Sequence, residues 1–157
     1  MAYSSKHVAN YFLRRAFREG RSLDPLQIQK LVYISHGRFM AQQPGVIPLI
    51  RESFLAWPYG PVEKKLYHHF KQYGGGPIKS LASSPLRTPE ISASDLATLA
   101  ILDAVWEEYG ELSGLELSRM THQPGSPWAI TIKEKGEGAV IDNNLIRDHF
   151  TEKQARP

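Results

Sequence analysis

A chain of 157 residues fits one domain, large enough to bury roughly 68–70% of its unfolded surface, so neither a disulfide nor a structural metal is required. It has no cysteine, which excludes disulfides, cysteine–zinc sites and thiol catalysis and agrees with a reducing cytoplasm. A net charge of +3 does not imply nucleic acid unless the cations gather on one face; no apolar run approaches a membrane span, and the N-terminus lacks the apolar stretch of a secretory signal.

The pattern from Ser5 to Glu19 predicts a first helix with Val8, Phe12 and Ala16 on one side and Gly20 as its stop. Asp24-Pro25-Leu26-Gln27 is a capping box with proline at the first helical position, and Leu23 and Ile28 stand where a hydrophobic staple belongs. Ile28, Leu31, Val32, Ser35 and Phe39 then mark the inward face of a second helix to about Gln42, expected to be buried and rigid.

Val46-Ile47 and Leu49-Ile50 are short strand candidates that would pair with Phe54–Trp57, giving a small ribbon around residues 46–57. Pro58 breaks the run, and Gly60-Pro61 suggests a new start, with Pro61 opening an amphipathic helix that carries Val62, Leu66 and Phe70 and ends at Tyr73. The aromatic density of Phe54–Val62 predicts that this corner is the hub of the packing. Residues 74–90, rich in Gly, Pro and Ser/Thr, form an internal loop, with Ile78, Leu81 and Leu86 as its expected anchors.

Ser92 or Ser94 is expected to cap a fourth helix bearing Leu96, Leu99, Ala100, Asp103, Trp106 and Tyr109, stopped by Gly110. Ser113-Gly-Leu-Glu116 is a second capping box, opening a short helix through Met120, and Ser126-Pro127 is a further cap before Trp128. After Gly136-Glu-Gly138, Asp142 opens a last helix with Leu145, Ile146 and Phe150, and residues 151–157 read as a frayed tail. The whole is a mostly α, single compact helical domain spanning 1–157.

Chemistry is sparsely signalled. His68 and His69 are adjacent, so on a helix they diverge by about 100° and do not converge on one metal. No His-x-x-x-His spacing exists for His36 or His122, Gly74-Gly75-Gly76 lacks the Lys-Ser/Thr ending of a phosphate loop, and no nucleophile elbow is present. No metal, cofactor or catalytic residue is expected; an enzyme dependent on His36, His68 or His122 is the remaining catalytic alternative. Arg14, Arg18 and Arg21 form one basic stripe and Lys64, His68 and Lys71 another, while Asp103, Glu107 and Glu108 make an acidic patch. Solvated helix faces explain such stripes, and so would docking of an acidic partner. The first two helices also suggest a helix-turn-helix, but the second is too apolar to read a groove.

Three blocks in order resemble one family. They are Lys30, Leu31, Tyr33 and His36; then Trp57, Gly60, Pro61, Val62 and Tyr67; then Thr121, His122, Pro127 and Trp128. Together they resemble the Panacea domain, the SocA-like antitoxin family that includes phage-associated GepA-like proteins, with Met120 where that pattern has leucine. The resemblance implies an antitoxin that binds a cognate protein toxin, either neutralising it by direct contact or, as in the SocA branch, delivering it to the ClpXP protease. The alternative from another class is a DNA-binding transcriptional regulator of its own promoter. Lys30, Tyr33, His36, Trp57, Tyr59, Gly60, Pro61, Tyr67, His122 and Trp128 mark the signature surface and core, and Tyr59, at the corner tip, is the first interface candidate.

Overall fold

The computed structural model describes residues 2–155, with the side chain of Ala155 left out. Seven helices are present among them: α1 (Ser5–Arg18), α2 (Pro25–Ala41), α3 (Lys64–Phe70), α4 (Leu96–Tyr109), α5 (Gly114–Thr121), α6 (Pro127–Lys135) and α7 (Asn143–Ala155). Two strands, β1 (Phe54–Trp57) and β2 (Gly60–Glu63), form an antiparallel hairpin, and a 3₁₀ turn at Lys71–Tyr73 extends α3. The expectation of a mostly helical domain with a small ribbon holds, around one continuous core.

The hub is α2, not the aromatic corner. Every residue from Ile28 to Gly37 is buried, because α1, α4, α5, α7, α3 and β2 all pack against this one helix. Its start is set as the sequence implied: the Asp24 carboxylate accepts from the Gln27 amide at 2.8 Å and the Gln27 side chain accepts from the Asp24 amide at 2.9 Å. Gly37 lets α7 approach closely, since a Cβ there would lie 2.1 Å from the Phe150 ring.

The ribbon sits further along the chain than expected. Phe54 pairs with Glu63, Leu55 with Val62, Ala56 with Pro61 and Trp57 with Gly60, leaving Pro58 and Tyr59 as the turn. Residues 46–50 form no strand of it; Ile50 makes an isolated parallel bridge to Tyr3 instead. The outer edge of β1 is occupied by residues 138–141, with Ala56 N–H donating to Ala139 O at 2.9 Å and Ile141 N–H to Phe54 O at 2.8 Å. Pro61 is therefore a strand residue, and α3 is opened by Glu63, whose buried carboxylate accepts from the amides of Lys65 and Leu66 and from the Ser5 hydroxyl.

Three smaller expectations also change. Asp95, not Ser92 or Ser94, caps α4 by accepting from Thr98 N–H, and the buried face of α4 is Thr98, Ile101, Leu102, Val105, Trp106 and Tyr109. Leu96 and Asp103 face solvent. In the 74–90 loop Ile78 is buried, yet Leu86 is 96% exposed; the loop is tied down by Asn10, which donates to Ala82 O and Pro89 O and accepts from Ala82 N–H. The segment read as a tail continues α7 through Ala155, and Arg156 and Pro157 lie outside the described residues.

Candidate functional site

The hairpin turn is held by its own carbonyls. Trp128 Nε1–H, from the first turn of α6, donates to Trp57 O at 2.7 Å. His122, at the end of α5, donates through Nε2 to Pro58 O at 2.8 Å, and Ser118 Oγ, one turn earlier, donates to Tyr59 O at 2.7 Å. Lys30 Nζ, from the core of α2, donates to Pro61 O at 3.0 Å. Beside it the Gln29 amide closes a two-way pair with Glu63, donating to its carbonyl at 2.9 Å and accepting from its N–H at 2.8 Å.

The rings are organised by the same clamp. His122 lies against Trp128 with ring centroids 4.0 Å apart, and its Nδ1 is 2.5 Å from Ser118 O. Trp57 meets Tyr67 of α3 edge-on at 4.8 Å. Gly60 has φ +108°, and a Cβ there would stand 2.6 Å from Thr121 Oγ1 and 3.0 Å from Lys30 Cε, so only glycine fits where the hairpin crosses α2 and α5.

Burial sets the charge states. Lys30 is wholly enclosed, and loss of hydration lowers its ammonium from 10.5 to about 7. His36 sits deeper along α2, accepting from Ile50 N–H at Nδ1 and donating from Nε2 to Asn143 Oδ1 at 3.0 Å. Burial pulls it down to about 4, against a smaller upward pull from Asn143. Tyr33 is likewise buried, and its phenol is raised by desolvation. Both tie the hairpin to α7 rather than reach solvent: Tyr33 packs against Phe54 and Phe150, and His36 against Phe54.

The exposed part is smaller. Tyr59 is 66% exposed at the tip and Tyr67 42%. Tyr59 is a ridge between two depressions. One, about 480 Å³, runs between β2, α3 and the start of α2; the other, about 420 Å³, lies over α5 beside Leu115 and His122.

The residues of the basic stripes differ in how far they belong to the fold. Arg21 lies over the Trp106 ring at 4.4 Å and donates to Gly110 O at 2.6 Å, so it belongs to the fold, whereas Arg14 and Arg18 are exposed. Lys64, His68 and Lys71 are exposed on α3 and its extension. The acidic patch is already matched: Arg15 pairs with Asp103 at 2.9 Å and Glu107 at 3.0 Å, and Arg38 pairs with Glu108. Among the described residues no group of His, Asp and Glu is arranged to hold a metal ion, and no helix is long and apolar enough to cross a membrane.

Sequence reading missed Gln29, Glu63 and Ser118. Glu63 carried a signal, as an acceptor directly before a helical run; the other two act on main-chain groups and carried none.

The chain matches the family described as Antitoxin SocA-like, Panacea domain over residues 28–129, a span that holds Lys30, Gln29, Ser118, His122 and Trp128. This chain belongs to that family. It is also 28% identical over 155 residues to Antitoxin SocA of Caulobacter vibrioides, covering 93% of this chain and 81% of the relative. No solved structure matches it. Lys30, His122 and Trp128, three of the residues that carried the resemblance, hold carbonyls of the hairpin in this structure, and membership supports an antitoxin role, with a toxin as its partner.

Proposed function

We propose that the chain neutralises a cognate protein toxin by direct protein–protein binding, and that the clamped hairpin, with Tyr59 at its tip, is the docking face. The observation that carries this reading is the fixation of four turn and strand carbonyls, those of Trp57, Pro58, Tyr59 and Pro61, by four side chains from three helices. So much holding around a turn that exposes a tyrosine makes a rigid aromatic anchor, and a rigid anchor loses little entropy on binding.

A groove-reading role on DNA is not favoured, because the helix that would enter the groove, α2, is buried over Ile28–Gly37. The test is co-purification with the product of the adjacent gene, joined to growth with and without this chain. Toxicity alone, rescue together and co-elution support the reading, as does loss of rescue in Tyr59→Ala. A harmless neighbour that does not co-elute overturns it. The toxin's half-life in cells with and without ClpXP then separates occlusion from delivery to the protease.

A further inference from the structure

The larger depression beside Tyr59 has an unusual balance of polar groups. Its floor is Leu26, Val62, Leu66 and Phe70, and the Trp57 and Tyr67 rings wall it. Among the described residues no carboxylate lines it, and Lys71 is part of its lining. The Gln29 amide is already taken by Glu63, and the carbonyls of Trp57, Pro58 and Tyr59 are taken by Trp128, His122 and Ser118. Among the described residues, the Trp57 indole N–H, the Tyr59 and Tyr67 hydroxyls and the Lys71 ammonium have no hydrogen-bond partner. The groove is apolar and carries four unpaired donor groups, two of them hydroxyls that can also accept.

Three modes of peptide recognition can be weighed against that balance. Strand addition needs an open edge, but β1 is covered by residues 138–141 and the outward groups of β2, Pro61 O and both main-chain groups of Glu63, are bonded to Lys30 and Gln29. An amphipathic helix has spent all but its last four carbonyls internally, so over most of its length it offers the aromatic donors no main-chain acceptor. A polyproline II segment makes no internal hydrogen bonds, presents every carbonyl outward, and at proline positions brings no N–H to leave unpaired.

We propose that this groove receives an extended, proline-containing segment of the protein partner, with an acidic residue near Lys71. The rings of Trp57 and Tyr67 cradle the prolines, and the indole N–H and tyrosine hydroxyls donate to the segment's carbonyls. The inference rests on the reading that the hairpin face is where the toxin docks.

The test is titration of ¹⁵N-labelled protein with an oligoproline peptide carrying one aspartate, alongside a version with alanine in place of proline. The Trp57 indole resonance is expected to shift while that of Trp128, committed to Trp57 O, stays nearly still. Tyr67→Phe, which keeps the ring, is expected to weaken binding roughly fivefold, the net worth of one hydrogen bond. A Trp57 resonance unmoved at millimolar peptide, or equal response to the alanine peptide, overturns the proposal. If that happens while Tyr59→Ala still abolishes rescue, the ligand class falls and the docking face stands. If Tyr59→Ala leaves rescue intact, the docking face itself falls.

Discussion

The Lys30 ammonium reaches the carbonyl of Pro61 at 3.0 Å from a position with no access to water. One lysine therefore joins the centre of α2 to the strand that follows the exposed turn. Its pKa falls from 10.5 to about 7 because burial penalises the charged form. Between those values the unfolded chain binds more protons than the folded one, so stability rises with pH through that window and the contribution is lost as pH falls to 7. The full effect is roughly 3–5 kcal/mol. Chemical denaturation between pH 7 and 9.5 is expected to show an increasing midpoint, and Lys30→Met is expected to flatten that rise. A flat wild-type profile would count against a buried, nearly neutral lysine.

His36 gives a second, separate slope. Its folded pKa of about 4 lies below the ordinary 6.5, so its contribution is complete above pH 6.5 and is lost as pH falls through 4. Protonation at Nδ1 abolishes the bond from Ile50 N–H, and the loss amounts to about 3 kcal/mol. Denaturation midpoints between pH 7 and 4 should fall in the wild type and fall less steeply in His36→Gln. The same slope in both proteins would assign the acid sensitivity to other groups.

Gly60 and Thr121 test the clamp as a steric fit. Gly60→Ala combines a positive φ with a contact of 2.6 Å to Thr121 Oγ1, and is expected to cost more than about 2 kcal/mol. Adding Thr121→Ala removes the contact but leaves the backbone strain, so the double variant is expected to recover only part of the loss. Thermal melts of the four proteins read this directly. Additive effects would mean that the two residues do not meet.

How much of this was legible turns on where each interaction has its partner. The caps at Asp24, Ser113 and Ser126 could be read because donor and acceptor lie within four residues of each other. That α2 would be buried was equally plain from its apolar run, although it is enclosed on every side over Ile28–Gly37 rather than along one face, and Phe39 is only half-buried. The phase of α4 was misread because Leu96, Ala97, Leu99, Ala100, Ile101 and Leu102 make it apolar nearly all round, so periodicity barely discriminates. Pro61 looked like a helix start, and only pairing with Ala56 makes it a strand residue. Leu86 looked like an anchor by its apolarity, whereas the real tether is polar Asn10, far off in sequence. Lys30, His122 and Trp128 of the clamp were visible as motif residues, but Ser118 was not, and nothing showed the four as one device. Its acceptors are main-chain carbonyls, which every residue carries, so side-chain type reveals only half of each bond.

Tyr59→Ala separates docking from stability. The side chain is 66% exposed and its hydroxyl has no partner among the described residues, while the residue's carbonyl, held by Ser118, survives the substitution. Stability should therefore change by no more than about 0.5 kcal/mol, as for ordinary surface positions. An anchor at an interface behaves differently, and truncating one costs about 2 kcal/mol or more in binding. The expected pairing is an unchanged melting temperature with at least a tenfold loss of affinity for the co-purifying partner. Trp128→Phe should show a different pattern, because it frees Trp57 O: stability drops by about 1–3 kcal/mol, and binding weakens through a loosened turn. If Tyr59→Ala melts early, the ring is part of the fold and the tip is not a free anchor. If it melts normally and binds normally, the partner sits elsewhere on the chain.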